Sequence, residues 1–185
     1  MFNVKKLAFG AALLAASAVC FAAPKVEIVT SEGNIVVNLN EKAAPTTVAN
    51  FVKYANEGFY NGTIFHRVIN NFMIQGGGFD RNLHQKSTHA PIKLEDKNGL
   101  KNTVGTIAMA RTNNPDSATS QFFINLKDND FLNGTSTKDG YAVFGEVVSG
   151  MDVVRKIGRA PTGSKSFMDD VPVRPVIIES VKVLK

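Results

Sequence analysis

The chain has 185 residues, 44% of them hydrophobic and 20% charged, with a formal net charge of +5 and one cysteine. That length suits one domain with a full hydrophobic core, and a lone cysteine excludes a disulfide framework within the chain. The basic residues form no dense cluster, so the charge describes a solvated surface and points away from nucleic acid as a partner.

The first segment stands apart. Lys5 and Lys6 precede an apolar, small-residue run over residues 7–19, and Cys20-Phe21-Ala22 ends in a small residue. This is the layout of a secretory signal peptide, with cleavage expected after Ala22 (signal 1–22, domain 23–185). An apolar run of about 13 residues is short of the ~20 needed to span a bilayer, so no stable membrane association is expected. Export would remove Lys5, Lys6 and Cys20, leaving 19 basic and 16 acidic residues. The exported chain would enter an oxidising compartment with no thiol to misoxidise.

Residues 25–30 (KVEIVT) and 34–39 (NIVVNL) alternate and are rich in β-branched side chains, with Ser31-Glu32-Gly33 between them. They predict a β-hairpin. Val48, Phe51, Val52 and Ala55 then recur at helical spacing, with Pro45 suited to the first helical position and Gly58 to the stop. Six further strands are predicted over residues 63–69, 72–75, 105–110, 121–126, 141–147 and 176–184. A short helix fits 151–157, with Met151, Val154 and Ile157 on one face. Asn-Gly pairs at 61, 98 and 133 mark tight turns. Eight strands and two helices in this order predict a mainly β fold: a closed eight-stranded antiparallel β-barrel whose ends are capped by two α-helices.

The run FHRVINNFMIQGGGF (65–79) places Arg67 and Gln75 among apolar residues. Both are read as inward-facing, and an arginine is almost never buried without a partner or a task. SQFFIN (120–125) adds polar residues beside two phenylalanines, so the two segments together describe an apolar pocket with a few fixed polar groups. His66 should point to the strand face opposite Arg67, as a hydrogen-bonded interior residue. His84 and His89 sit in a polar loop and are expected to be solvated. No HExxH spacing, GxSxG elbow or Walker loop occurs, so no metal and no cofactor are expected. Gly76-Gly77-Gly78 reads as a bend or bulge in a strand. From spacing alone, Arg67 is equally a structural cation tied to a carboxylate or carbonyls and a functional one.

These motifs, with GTIAMAR (105–111), FLNG (131–134) and YAVFGEV (141–147), resemble the cyclophilin family of peptidyl-prolyl cis-trans isomerases, over nearly all of the chain after the leader. The match is most similar to the periplasmic cyclophilins of Gram-negative bacteria. The resemblance implies an isomerase of X–Pro bonds, working without a cofactor as a monomer in the periplasm, with proline-containing peptides and unfolded exported proteins as partners. It implies that Arg67 is catalytic, with Gln75 beside it, orienting the arginine and lining the groove. It assigns the proline pocket to Phe72, Met73, Phe123 and Leu132. Ala110, Arg111 (mainly through its backbone) and Gln121 fall on positions lining the peptide groove, and Phe131 and Tyr141 on substrate-contacting positions. Phe131 stands where many eukaryotic members carry a Trp that contacts cyclosporin, and Tyr141 where they often carry His, which implies weak cyclosporin binding. Asn70-Asn71 replaces a common Pro-Gly turn, and Asn tolerates the left-handed geometry such a turn uses. A cyclophilin-like peptide-binding module whose catalysis is incidental and a small-ligand barrel are the competing readings.

Overall fold

The computed structural model describes residues 24–184, so the leader and its expected cleavage point lie outside the described residues. The strands are β1 (Lys25–Thr30), β2 (Gly33–Leu39), β3 (Thr63–Ile69), β4 (Met73–Asp80), β5 (Thr106–Met109), β6 (Phe122–Asn125), β7 (Val143–Ser149), β8 (Thr162–Lys165), β9 (Met168–Pro172) and β10 (Ile177–Leu184). Eight of them close an antiparallel barrel in the order β1-β10-β3-β4-β6-β5-β7-β2. The predicted barrel is therefore present. Its strand ends shift by a residue or two, and β4 runs on to Asp80. The hairpin β8-β9 is an addition outside the barrel that the sequence reading did not foresee.

Alternation fills the interior. Val26, Ile28, Ile35, Val37, Leu39, Ile74, Ile107, Phe122 and Ile124 all belong to one buried cluster. The rings of Phe51, Tyr60, Phe65, Phe122 and Phe144 lie within it, with neighbouring centroids 5.1 to 6.0 Å apart. Such a packed interior leaves no room for a ligand, which removes the small-ligand reading.

Helix α1 (Pro45–Asn56) starts with Pro45 in its first turn and buries Val48, Phe51, Tyr54 and Ala55 in the same cluster. The residue before it, Ala44, provides no side-chain cap. The carboxylate of Glu95 substitutes from a distant loop, accepting hydrogen bonds from Thr46 N (3.1 Å), Thr47 N (2.8 Å) and Thr47 Oγ1 (2.7 Å). These satisfy backbone donors that a helix start leaves free. Partial burial pushes the Glu95 pKa up, but the hydrogen bonds from Thr47 and Thr46 outweigh it and hold the carboxyl below its usual value. Gly58 follows the helix at φ +65, as its predicted stop role requires. Helix α2 (Met151–Gly158) buries Val154 and Ile157 in the barrel cluster.

Strand β3 departs from strict alternation. Phe65 and Val68 both pack in the interior although they are three residues apart, and the register with β4 slips between Phe65 and Arg67. The slip is a β-bulge, which puts one extra residue on the outer side. Arg67 is consequently outside the barrel, with its side chain 46% exposed, and Gln75, paired with it and next to the interior Ile74, is outside too, which corrects the inward-facing expectation for both. His66 is buried against Phe79 (centroids 4.7 Å apart), with a backbone hydrogen bond to Ile64, while its Nδ1 has no partner. Asn71 takes φ +56 in the turn between β3 and β4, the left-handed geometry expected of it.

Gly77 has φ +83, and a Cβ there would sit 2.9 Å from the rings of both Phe122 and Tyr60. Gly78 leaves space that the Gln121 side chain fills. The glycine run thus belongs to a bulged strand, where the register shifts again between Thr63 and Phe65.

Burial pushes the His66 imidazole down to about 4 from 6.5, and the adjacent Arg67 charge acts in the same direction. The unfolded chain therefore takes up a proton that the folded protein refuses between these values. Stability should be flat above pH 6.5 and fall as pH drops toward 4, by about 3 kcal/mol at most. Urea unfolding of wild type and His66→Gln across pH 4–8 checks this: the difference between them should shrink on acidification, and a constant difference would refute it.

Candidate active site

The outer wall of the barrel carries a lateral row of side chains. In the ladder Arg67 on β3 stands opposite Gln75 on β4, Gln75 opposite Phe123 on β6, Phe123 opposite Ala108 on β5, and Ala108 opposite Val143 on β7. Each alternates with an interior neighbour, such as Ile74 before Gln75 and Phe122 before Phe123. A second buried cluster, Met73, Ala108, Phe123, Leu132 and Val143, forms over this row, with Ile69, Phe72, Ala110 and Tyr141 packed against it.

The result is a concave pocket of about 190 Å³, lined by Arg67, Phe72, Met73, Gln75, Ala110, Arg111, Phe123, Leu132 and Tyr141. Nine of the eleven site residues expected from the sequence line it directly. The other two adjoin it: Gln121 Oε1 accepts a hydrogen bond from Gln75 Nε2 at 3.0 Å, and Phe131 stacks on Phe72 with centroids 5.6 Å apart. A roomier cleft of about 500 Å³, bounded by Asn38–Lys42, Leu100, Lys101, Thr103, Thr106 and Glu146, has a mixed polar and apolar lining without aromatic rings.

Each wall has an identifiable support. Phe123 meets Tyr141 edge to face at 5.6 Å. The Arg111 guanidinium lies over the Tyr141 ring, 4.7 Å from its centroid, and donates to the carbonyls of Gly140 (2.8 Å), Thr112 (2.8 Å) and Asp139 (3.0 Å). Its side chain is thus occupied in bracing the loop. Phe131 is 58% exposed, an apolar rim on one side of the pocket. Gln75 directs its amide to Gln121, while Arg67 forms an ion pair through Nε with Asp170 Oδ2 at 3.9 Å.

The loops that supply Phe72, Leu132 and Tyr141 are tied together by buried asparagines. Asn129 Nδ2 donates to Phe72 O (3.0 Å) and Asn125 Oδ1 (2.8 Å). Asn125 Nδ2 in turn donates to Asn102 Oδ1 (3.2 Å) and Thr106 Oγ1 (2.9 Å). Asn102 Nδ2 reaches Leu132 O and Tyr141 O, both at 3.3 Å. Three pocket-wall backbones therefore hang on one network. Asp96 adds a further tie, accepting from Gly140 N at 2.6 Å. Sequence reasoning did not single out Asn102, Asn129 or Asp96 for these roles. Their only signal was polar residues beside aromatic segments, which solvated loops share.

His84 and His89 are both exposed, as expected, His84 beside Asp80 and His89 paired with Glu57 at 2.6 Å. Neither approaches the pocket lining. Among the described residues no group of three His, Cys, Asp or Glu side chains is arranged to hold a metal, and no helix is long and apolar enough to cross a membrane.

A family model described as cyclophilin type peptidyl-prolyl cis-trans isomerase/CLD matches residues 25–183. A peptidyl-prolyl cis-trans isomerase of Acinetobacter baylyi is 55% identical over 97% of this chain and 96% of its own. Peptidyl-prolyl cis-trans isomerase B of Escherichia coli is 60% identical over 83% and 96%. The crystal structure of a Cryptosporidium parvum cyclophilin type isomerase superposes with a TM-score of 0.72 at 26% identity, covering 88% of this chain and 98% of that one. The chain belongs to the cyclophilin-type peptidyl-prolyl cis-trans isomerases. It is an enzyme that interconverts the cis and trans forms of X–Pro peptide bonds.

The asparagine network predicts how the pocket fails. Asn102→Ala removes two carbonyl contacts and one of the two acceptors of Asn125 Nδ2, which should cost about 1–3 kcal/mol. It should also raise KM for proline peptides more than it lowers kcat, because the walls loosen while Arg67 stays in place. Denaturant titration with steady-state isomerase assays tests both, and unchanged stability with unchanged KM would contradict it.

Proposed function

We propose that this isomerase acts in the periplasm on X–Pro bonds of unfolded exported proteins, and that Arg67 stabilises the twisted amide. The observation that carries the mechanism is the placement of Arg67: a half-exposed guanidinium at the mouth of an apolar pocket, directly across the ladder from Gln75. The Cryptosporidium relative was crystallised in the presence of the dipeptide Ala-Pro, and the small pocket here has room for one proline ring. Its volume of about 190 Å³ lies below the ~300–1,000 Å³ of sites for drug-sized ligands.

Amide resonance sets a rotation barrier of ~18–20 kcal/mol, and the uncatalysed process takes tens to hundreds of seconds. Shortening ~100 s to ~1 ms requires about 7 kcal/mol. No covalent bond breaks, so the reaction asks for binding and electrostatics alone. As the bond twists, conjugation is lost and the lone pair localises on the prolyl nitrogen. A fixed donor cation near that nitrogen stabilises the twisted state more than either planar state. Arginine suits this because its charge does not titrate in the working range and its donors form a rigid fork. Met73, Phe123, Leu132 and Phe72 hold the ring. Gln75 and Gln121, with the Ala110 and Arg111 backbone, hold the flanking peptide, and Phe131 and Tyr141 bound it on either side. One side of the bond is then held while the other turns.

The periplasmic setting is supported by the leader pattern of residues 1–22 and by the absence of cysteine after it. Full-length chain expressed in a Gram-negative host should lose residues 1–22 and be released by osmotic shock. Recovery of uncleaved protein in the cytosol would remove that part of the reading.

For the mechanism, Arg67→Ala should lower kcat/KM by about 10²–10³-fold, as loss of a transition-state donor does. Its unfolding midpoint should barely move, since a half-exposed ion pair contributes little to stability. Arg67→Lys should fall between, keeping charge without the fork. A protease-coupled proline-peptide assay decides, and near-normal activity of Arg67→Ala would sink the assignment.

A further inference from the structure

We infer that Asp170 is a positioning residue that orients the Arg67 guanidinium, so that the β8-β9 hairpin forms part of the catalytic apparatus. The inference rests on Arg67 being the group that acts on the amide.

The hairpin is outside the barrel, and every residue of β8 is exposed. Phe167 at its turn is 73% exposed. One buried contact fastens it beside β3: Val171 packs with Ile64 and Leu83, flanked by Met168 and Ile177. Ile64 is three residues from Arg67 on the same strand, so the hairpin is anchored next to the catalytic position.

A second irregularity aims the carboxylate. Gly163 pairs with Val171 and Lys165 with Met168, so β9 advances three residues while β8 advances two. Asp170 lies in this bulge at φ +58. Bulges beside active sites redirect side chains, and Asp and Asn are the side chains that best tolerate left-handed backbone. Here the bulge brings Asp170 Oδ2 to 3.9 Å from Arg67 Nε.

The choice of nitrogen matters. Nε is the inner donor of the guanidinium, so a carboxylate on that edge leaves the far terminal nitrogen directed elsewhere. Among the described residues Asp170 is the ion-pair partner of Arg67, and the neighbouring Gln75 gives its Nε2 to Gln121. An exposed arginine otherwise samples many rotamers. A carboxylate that restricts them raises the fraction of bound substrate facing a correctly placed cation.

Two substitutions preserve the left-handed backbone. Asp170→Asn keeps the shape and removes the charge, and Asp170→Gly removes the side chain. Both should lower kcat by about three- to fivefold, the scale of a partly exposed charge pair, with KM and the unfolding midpoint unchanged. High salt should narrow the gap from wild type. In an Arg67→Ala background neither should cause further loss. If Arg67→Ala is crippled but both Asp170 variants match wild type, the positioning role is overturned and the Arg67 mechanism stands. Equal losses from the Asp170 variants with and without Arg67 would also overturn it. If Arg67→Ala is itself active, the mechanism fails and takes this inference with it.

Discussion

The filled barrel is the constraint from which the rest of the architecture follows. Rings from α1, β3, β6 and β7, with Tyr60 ahead of β3, occupy the centre, and aliphatic side chains from the strands close around them. Function is therefore displaced to the outer wall. There the same strands serve both sides, Phe122 inward and Phe123 outward, Ile107 inward and Ala108 outward. Protein interiors pack as densely as organic crystals, so a floor made from alternate residues of core strands inherits the rigidity of that core. Catalysis by positioning needs such a floor.

The upper walls come from loops, which are ordinarily less exact than strands. The asparagine network compensates. Its members bond to one another and to backbone carbonyls, with Asn129 Oδ1 alone among them left without a partner, and such directional buried bonds specify one arrangement more strictly than apolar contacts do. The bulges act in the complementary sense. One turns Arg67 out of the barrel, and one turns Asp170 toward it, so two departures from regular sheet place two opposite charges together. Regular alternation would have sent Arg67 into the aromatic interior, where an unpaired charge is untenable.

Much of the barrel was legible in the sequence because it obeys local rules: alternation in β1 and β2, the stripe Val48, Phe51 and Ala55, and Asn71 at a left-handed turn. The inward reading of Arg67 was wrong because period-two counting assumes an unbroken strand, and the bulge consumes one residue. The hairpin was missed because TGSK and MDDVP show no apolar alternation, and its single anchor, Val171, is silent in isolation. Glu95 as a helix cap and Asn102 as a wall support act over 48 and 30 residues of chain, beyond the reach of any local pattern. The grouping of Phe72, Phe123, Leu132 and Tyr141 into one pocket was implied by family resemblance, since spacing alone left Arg67 between structure and function.

The barrel seam has a consequence for when the protein can exist. β1 pairs along its whole length with β10, the last eight-residue strand, and β10 is also the link to β3. A chain emerging N-terminus first, whether from a ribosome or through a membrane pore, presents β1 and β2 long before their closing neighbour. Until residues 177–184 arrive the cylinder has an open edge, and Val26 and Ile28 lack part of their cover. Closure of the barrel thus waits for β10. A barrel of this topology keeps that edge open until β10 is in place, and β10 then joins β1 to β3 in one step.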